Sequence, residues 1–521
     1  MQQPNFLYII TDQHRADYLG CSGHPIVRTP SIDAIAAKGT RFDRFYVANP
    51  VCMPNRATLM TGRMTSINGV RHNGLSLPVE SNTFVDVLRA GGYSTSLIGK
   101  SHLQTFTETG PLFGPNPAGS GPLSEPRRSS SSGYGVEEAT FWNRSDSGNF
   151  PSPYYGFDHA DIVTEHGDHT GGKHLEFLRA KLGNDVEKWR GADSQLPHTY
   201  SCPQAIRTRL PEELYSTFYI RDRAIDWLTA NAAKADPFFC FVSFPDPHHP
   251  FSPPGRYWDM YDPEDMALPP SFDGHVNPPP PLQWLKAEFA KGTKPFMAQN
   301  AFMADARAIK EAMALTCGMI TMIDDAIGAI AAALQKIDNG RDTVVIFNSD
   351  HGDFMGDHGM LLKGPMHFQS LIRVPFIWSD PAAHIARATD QLAGTVDIAR
   401  TILSRAGLMP YNGMQGVDLA PALKGEALPR DNMLIEEDSN KIFLGFKAAP
   451  RVRTLVTQRH RLTMYLDISW GELYDLIDDP HECRNLWDAT SHRAARDDLV
   501  LKLVQEMMRV ADRSPWPRRV A

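Results

Sequence analysis

The chain has 521 residues, 42% of them hydrophobic, and its 52 Lys and Arg against 60 Asp and Glu leave a formal net charge of −8. That composition excludes a disordered chain and, with no Lys/Arg run, gives no electrostatic footprint for DNA or RNA, while leaving room for a local basic pocket around a small anion. The six scattered cysteines contain no C-x-x-C pair, which fits neither a disulfide framework nor a structural zinc site.

Residues 6–11 form a short apolar run closing on Asp12, the pattern of a buried parallel strand with a polar group at its carboxyl end. The same form recurs at 94–98 before Lys100, at 238–244 before His248, and at 343–348 before Asp350. Helical patterns at 31–38, 54–61, 83–90, 211–233 and 304–336 lie between them. The alternation predicts an α/β fold, a large mostly parallel sheet sandwiched by helices, whose strand ends share one ligand-binding edge. Residues 109–150, rich in Gly, Ser and Pro, read as an irregular insertion, and 245–281 as a proline-rich surface excursion. From 432 the pattern changes to short strands (433–437, 442–447, 451–457, 460–466) and a helix over 494–510, so a large α/β domain at 1–431 and a small α+β domain at 432–521 are expected. The N-terminus shows no basic region or small-residue cleavage site, and no stretch reaches the roughly 18 to 20 apolar residues of a membrane span. The expectation is a soluble cytoplasmic protein with neither nucleic acid nor membrane as partner.

Asp12, Gln13, Asp350 and His351 offer oxygen donors with one nitrogen, a set suited to one divalent cation, Ca²⁺ or Mn²⁺ more than Zn²⁺. Cys52 precedes Pro54 and Arg56 near a helix start, where free N–H groups and a guanidinium favour an anion. The residues alone leave Cys52 as a packing thiol, an anion-site residue or a low-pKa nucleophile.

The segment C-x-P-x-R at 52–56, followed by A-T-L-M-T-G-R, resembles the signature of the type I sulfatases of the alkaline phosphatase superfamily. I-I-T-D-Q near the start, L-I-G-K-S-H-L around Lys100 and His102, P-H-H-P-F around His248, N-S-D-H-G-D-F-M-G-D-H-G-M-L-L-K-G ending near Lys363, and E-L-Y-D-L-I-D-D-P-H-E-C-R-N-L late in the chain extend the likeness over most of its length. The resemblance implies oxidation of Cys52 to formylglycine by a formylglycine-generating enzyme, its hydrate being the nucleophile. It implies a metal held by Asp12, Gln13, Asp350, His351 and the modified Cys52, with Arg56 stabilising the hydrate. Lys100, His248 and Lys363 would contact the substrate's charged oxygens, His248 as the acid for the leaving group, and His102 would take a proton from the hydrate. Hydrolysis of aryl or small alkyl sulfates through a covalent sulfo-enzyme is then expected. Gln13 and His351 stand where common sulfatases carry Asp and Asn, as in the phosphonate monoester hydrolase and phosphodiesterase branch, which is the alternative activity. Asn73 supplies either an amide to a substrate oxygen or a turn before Gly74. Asp353, Asp357 and His358 are expected to support the metal ligands, and Asp246 and His249 to hydrogen-bond within their loop. The insertion and the tail around Trp516 suggest a dimer or tetramer.

Overall fold

The computed structural model describes residues 2–110, 132–143, 150–232, 234–293, 300–337, 340–383 and 387–519. Eight strands, β1 (Asn5–Thr11), β2 (Thr40–Phe42), β3 (Ser94–Gly99), β4 (His159–Ile162), β5 (Phe238–Ser243), β6 (Thr343–Ser349), β7 (Phe376–Ser379) and β8 (Arg387–Thr389), make one sheet in the order β8-β2-β7-β6-β1-β5-β3-β4. Of these, β7 runs against its neighbours and the rest are parallel. Every residue of β1 and β5 is buried, which is why these strands read as continuous apolar runs rather than alternating ones.

The helices that cover the sheet are α1 (Cys52–Thr61), α2 (Phe84–Ala90), α3 (Ser216–Asn231), α4 (Ala306–Leu334) and α5 (Thr395–Arg405). Strand alternation divides the core between two faces. Phe6, Tyr8 and Ile10 join Leu59 and Met60 of α1, Leu88 of α2 and Ile398 of α5. Leu7 and Ile9 join Ile220 of α3 and Ile323 of α4 on the other face. The α4 helix, started by the Asp305 side chain accepting from Ala308 N at 2.8 Å, corrects one expectation. Its 29 residues are long and apolar enough to cross a membrane by length and composition, with 61% of the most apolar window buried inside the fold. Packing against α3 and the sheet is what selects so apolar a sequence.

The later strands β9 (Asn432–Asp438), β10 (Arg451–Thr457), β11 (His460–Tyr465) and β12 (Glu472–Asp475) form an antiparallel meander. Helix α6 (Arg493–Arg509) packs on it through Leu499 and Leu503. The strand expected over 442–447 is absent: this stretch turns through Leu444 at φ 53° and lays Phe443, Leu444 and Phe446 on the main core. An apolar run fixed by burial carries no strand when its backbone reverses. Most of the expected insertion, 111–131 and 144–149, lies outside the described residues.

Register builds the ligand-binding edge. Thr11 pairs with Ser349, so Asp12 and Asp350 leave adjacent strands at one level, and Gly99 pairs with Ser243, so Lys100 leaves beside them. Gly99 has φ 107°, and a Cβ there would stand 2.0 Å from the Ser243 carbonyl oxygen, so only glycine allows this crossing.

Candidate active site

Cys52 opens α1 as its first helical residue, so the helix begins two residues before the expected 54, with Pro54 in the first turn where no N–H partner is lost. All ten residues of α1 are buried, and its two polar side chains next to Cys52 lock it to the strand ends. Asn55 accepts from Ala48 N at 3.0 Å and donates to the Asp350 carbonyl at 2.5 Å. Arg56 donates from Nε to Asp350 Oδ2 at 2.8 Å, from Nη2 to Asp12 Oδ2 at 3.4 Å, and from Nη1 to Lys100 O and Ser243 Oγ at 3.0 and 2.9 Å. The contacts of Arg56 are thus with both carboxylates and two strand ends.

Asp12, Cys52, Asp350 and His351 bring their donor atoms within 4.8 Å of one another, all buried. Cys52 Sγ is 3.1 Å from His351 Nε2, and Asp12 Oδ1 is 3.5 Å from the same nitrogen. Ligands about 2.2 to 2.4 Å from one cation are separated by about 3 to 4 Å, so the donor set fits a single divalent ion. His351 Nδ1 lies 2.9 Å from the Gly352 carbonyl, which leaves the Nε2 lone pair for the cluster. Gln13, at φ 61°, turns its amide oxygen to Lys363 Nζ at 3.1 Å and its amide nitrogen to Asp353 and to His249 Nδ1.

Two lysines complete the ring. Lys363 Nζ lies 2.9 Å from His248 Nε2, 3.2 Å from His351 Nε2 and 3.5 Å from Cys52 Sγ. Lys100 Nζ donates to Asp12 Oδ2 and lies 2.5 Å from His166 Nε2. Burial alone would raise the Asp12 carboxyl, but Lys100, His351 and Arg56 hold it well below the usual carboxylate range. Burial and Asp12 oppose ionisation of the Cys52 thiol, and Lys363, Lys100 and His351 outweigh them, so it lies below its ordinary value. The field at position 52 therefore favours a negative charge.

The histidines sit differently from expectation. Burial, then His166 and Lys363, hold His248 well below 6.5, the ordinary value on which its reading as an acid rests. Its Nδ1 faces the His249 carbonyl at 2.5 Å and its Nε2 faces Lys363, so the resting ring is a neutral acceptor. His102 lies flat on Phe106, ring centroids 3.9 Å apart, and its buried Nδ1 has no hydrogen-bond partner among the described residues. Burial and the charges of Lys100 and Arg56 hold it too well below 6.5. Its backbone N–H donates to Glu137 Oε2 at 2.8 Å, and Leu103 and Gln104 donate to Oε1 of the same residue. A described part of the insertion thus fixes the His102 loop. Asn73 accepts from Met53 N at 3.2 Å, a contact that steadies the first turn of α1.

Asp353 accepts from the Gln13 amide nitrogen, whereas Asp357 and His358 make their contacts elsewhere. Asp357 takes Arg15 at 2.8 Å, and His358 packs on Phe368 at 3.9 Å. Asp246 and His249 are loop hydrogen-bonders, Asp246 accepting from Tyr215 and Thr217 and being pushed by burial up to about 7. Sequence reasoning missed His166, Glu137, Asn55 and Ser243. His166 follows the edge strand β4 as the other site residues follow theirs, but the run 159–162 is too short and too polar to announce a strand.

A buried carboxylate–imidazole donor set beside a helix N-terminus, faced by two lysines and an arginine, could hold a divalent cation and an anionic ester side by side, the arrangement of a hydrolase of anionic esters. The sulfatase family model matches residues 4–408, and the chain belongs to the sulfatase family: it is a sulfuric ester hydrolase of the alkaline phosphatase superfamily. The model of the N-sulphoglucosamine sulphohydrolase C-terminal region matches residues 356–509. An arylsulfatase of Clostridium perfringens is 27% identical over 520 residues, covering 97% of this chain and 94% of its own. The multifunctional alkaline phosphatase superfamily protein PehA of Trinickia caryophylli is 25% identical, with 99% and 97% covered. Among solved structures, the phosphonate monoester hydrolase of Agrobacterium radiobacter superposes with a TM-score of 0.76 at 26% identity, covering 98% of this chain and 96% of that one. The expected α/β class and alkaline phosphatase-like fold agree with these neighbours.

Proposed function

We propose that the protein hydrolyses sulfate monoesters of aryl or small alkyl alcohols at the Cys52 centre. The observation that carries this reading is the convergence of Lys100, Lys363 and Arg56 on position 52, three cations against the two carboxylates Asp12 and Asp350, with two of the cations in direct contact with Asp12. Such an excess suits an ester whose charged oxygens gain negative charge as the bond to the leaving group breaks.

Asp12, Asp350, His351 and the modified Cys52 would hold one Ca²⁺ or Mn²⁺, which supplies a Lewis acid next to the nucleophile, and Gln13, whose amide oxygen rests on Lys363, would turn to join them. Oxidation of Cys52 by a formylglycine-generating enzyme would supply a hydrated aldehyde as that nucleophile. The chain's own residues do the rest. Lys100 and Lys363 bind and orient the sulfuryl oxygens. His102, neutral, fixed by Phe106 and with a free buried nitrogen, accepts a proton from position 52. The leaving oxygen receives its proton from the hydrogen-bonded pair Lys363–His248, because His248 alone rests neutral.

The competing activity is phosphonate monoester or phosphodiester hydrolysis, favoured by Gln13, His351 and the likeness to the Agrobacterium hydrolase. Comparing kcat/KM on matched aryl sulfate and aryl phosphonate decides between them. A sulfate preference supports the proposal; a tenfold preference for phosphonate, about 1.4 kcal/mol in barrier, overturns it. The mass of the tryptic peptide 45–56 reports the state of Cys52 independently: an aldehyde or hydrate is expected, and a wholly unmodified thiol in fully active enzyme defeats the formylglycine reading.

A further inference from the structure

The two lysines are held in the same way, and the two holders touch each other. Lys100 Nζ lies 2.5 Å from His166 Nε2, and Lys363 Nζ lies 2.9 Å from His248 Nε2. The His166 and His248 rings stack face to face, centroids 3.7 Å apart at 17°. His248 in turn stacks on His249 at 4.0 Å, and His249 Nδ1 meets the Gln13 amide at 3.2 Å. His166 also stands 3.9 Å from Asp12 Oδ2, the oxygen to which Lys100 donates.

We propose that His166 is a positioning residue that sets Lys100 for the ester, with the His166–His248 stack fixing the separation of the two ammonium groups. The inference rests on the reading that Lys100 and Lys363 take the substrate's charged oxygens. Lys100 is wholly buried and carries three N–H groups, and Asp12 is its one acidic partner among the described residues. An ammonium with Asp12 as its single acceptor turns toward the metal-binding carboxylate. A second acceptor, His166 Nε2 at 3.9 Å from Asp12 Oδ2, takes another N–H, which leaves the third directed away from both. The Phe106 ring faces the ammonium, its centroid 5.7 Å from Nζ. Contact between the two imidazole planes ties the position of Lys100 to that of Lys363, so that both meet oxygens of one anion.

Two substitutions separate the acceptor from the stack. His166→Phe keeps a flat ring against His248 and removes the nitrogen; His166→Gln supplies an amide oxygen to Lys100 and gives up the stack. The metal-loaded enzyme and both variants are titrated with inorganic sulfate by calorimetry, with metal content and Tm measured on the same preparations. His166→Phe is expected to bind sulfate at least tenfold more weakly with its metal retained, and His166→Gln to recover at least threefold of that loss. In turnover the Phe defect falls mainly on KM, because the lysines grip the anion before as well as during reaction. Sulfate binding by His166→Phe equal to the parent's, or no recovery by Gln, overturns the proposal. So does loss of metal in step with loss of sulfate binding, since His166 would then act on Asp12. Should His166→Phe fail to fold, His166→Ala replaces it in the same comparison. A parent that binds sulfate but turns over no sulfate ester defeats the functional reading and leaves the binding comparison intact.

Discussion

Two buried arginines, each between two carboxylates, occupy the two halves of the molecule. Arg461 in the C-terminal sheet donates to Glu482, to Thr463 Oγ1 at 2.8 Å and to Glu472 at 3.1 Å, and its guanidinium lies against the Phe368 and Tyr474 rings. Tyr465 and Gln369 N satisfy the remaining carboxylate oxygens. Burial pushes the Glu482 carboxyl up to about 7 against the pull of Arg461, so this cluster approaches neutrality by holding a proton. Arg56 meets Asp12 and Asp350 in a similar fork, yet Lys100 and Lys363 are added there with no further carboxylate in salt-bridge contact among the described residues. A buried charge cluster that closes on itself is structural, whereas one left with unbalanced cations and unpartnered nitrogens waits for a ligand. This difference, more than burial or the presence of an arginine, marks the active site.

The comparison breaks most sharply at Cys52. Cys52→Ala should lower kcat on an aryl sulfate by on the order of 10⁴-fold or more, with Tm within a few degrees of the parent, since the side chain is small and its role is chemical. Turnover at the parent rate would remove position 52 from the chemistry. Chelation tests the open cluster next. Dialysis against a chelator should abolish activity, and Mn²⁺ or Ca²⁺ should restore it at one ion per chain by elemental analysis, because Asp12, Asp350 and His351 then regain their common partner. Activity that survives complete metal removal would make those residues a salt-bridge network only.

The closed cluster predicts the opposite profile. Arg461→Met leaves Glu472 and Glu482 buried without their cation and should cost about 3 to 5 kcal/mol in denaturant unfolding, while kcat per folded molecule holds. Combining it with Glu472→Gln and Glu482→Gln should recover a substantial part of the loss. An activity defect in Arg461→Met out of proportion to its stability would show that the two clusters communicate.

The central strands and the order of their polar ends were legible because burial on both faces forces continuous apolar runs, and the candidate site with them because each run is followed by one of its residues: Asp12, Lys100, His248, Asp350. What escaped was set by contacts across the fold. His166 lies after β4, whose partly exposed H-A-D-I carries no strand pattern until Leu97 and Ile98 pair with it. The low pKa of His248 depends on its burial first, then on the neighbouring His166 and Lys363, none of it adjacent in sequence. Residues 442–447 look like a strand because they are apolar, and their turn is fixed by packing around Leu444 and Trp284.

The smallest effect is expected away from both clusters, at His174 in the helix Lys173–Leu182. It is fully buried, with Nδ1 2.7 Å from Thr170 Oγ1 and Nε2 2.8 Å from the Leu214 carbonyl, and burial lowers its pKa to about 4. The folded-state value lies below the unfolded one near 6.5, so on acidification the unfolded chain takes up this proton first. Its contribution is therefore complete above about pH 6.5 and is lost as the pH falls toward about 4, up to about 3 kcal/mol for a shift of this size. Unfolding free energies of the parent and His174→Gln, measured from pH 7.5 down to 4.5, should converge as the pH drops, the variant being less stable at pH 7.5 and showing the shallower slope. Parallel curves would mean that His174 takes up its proton in the fold as readily as in the unfolded chain. Such a charge, with Thr170 and the Leu214 carbonyl as its neighbours, would make this a third cluster rather than the neutral reference against which the other two are read.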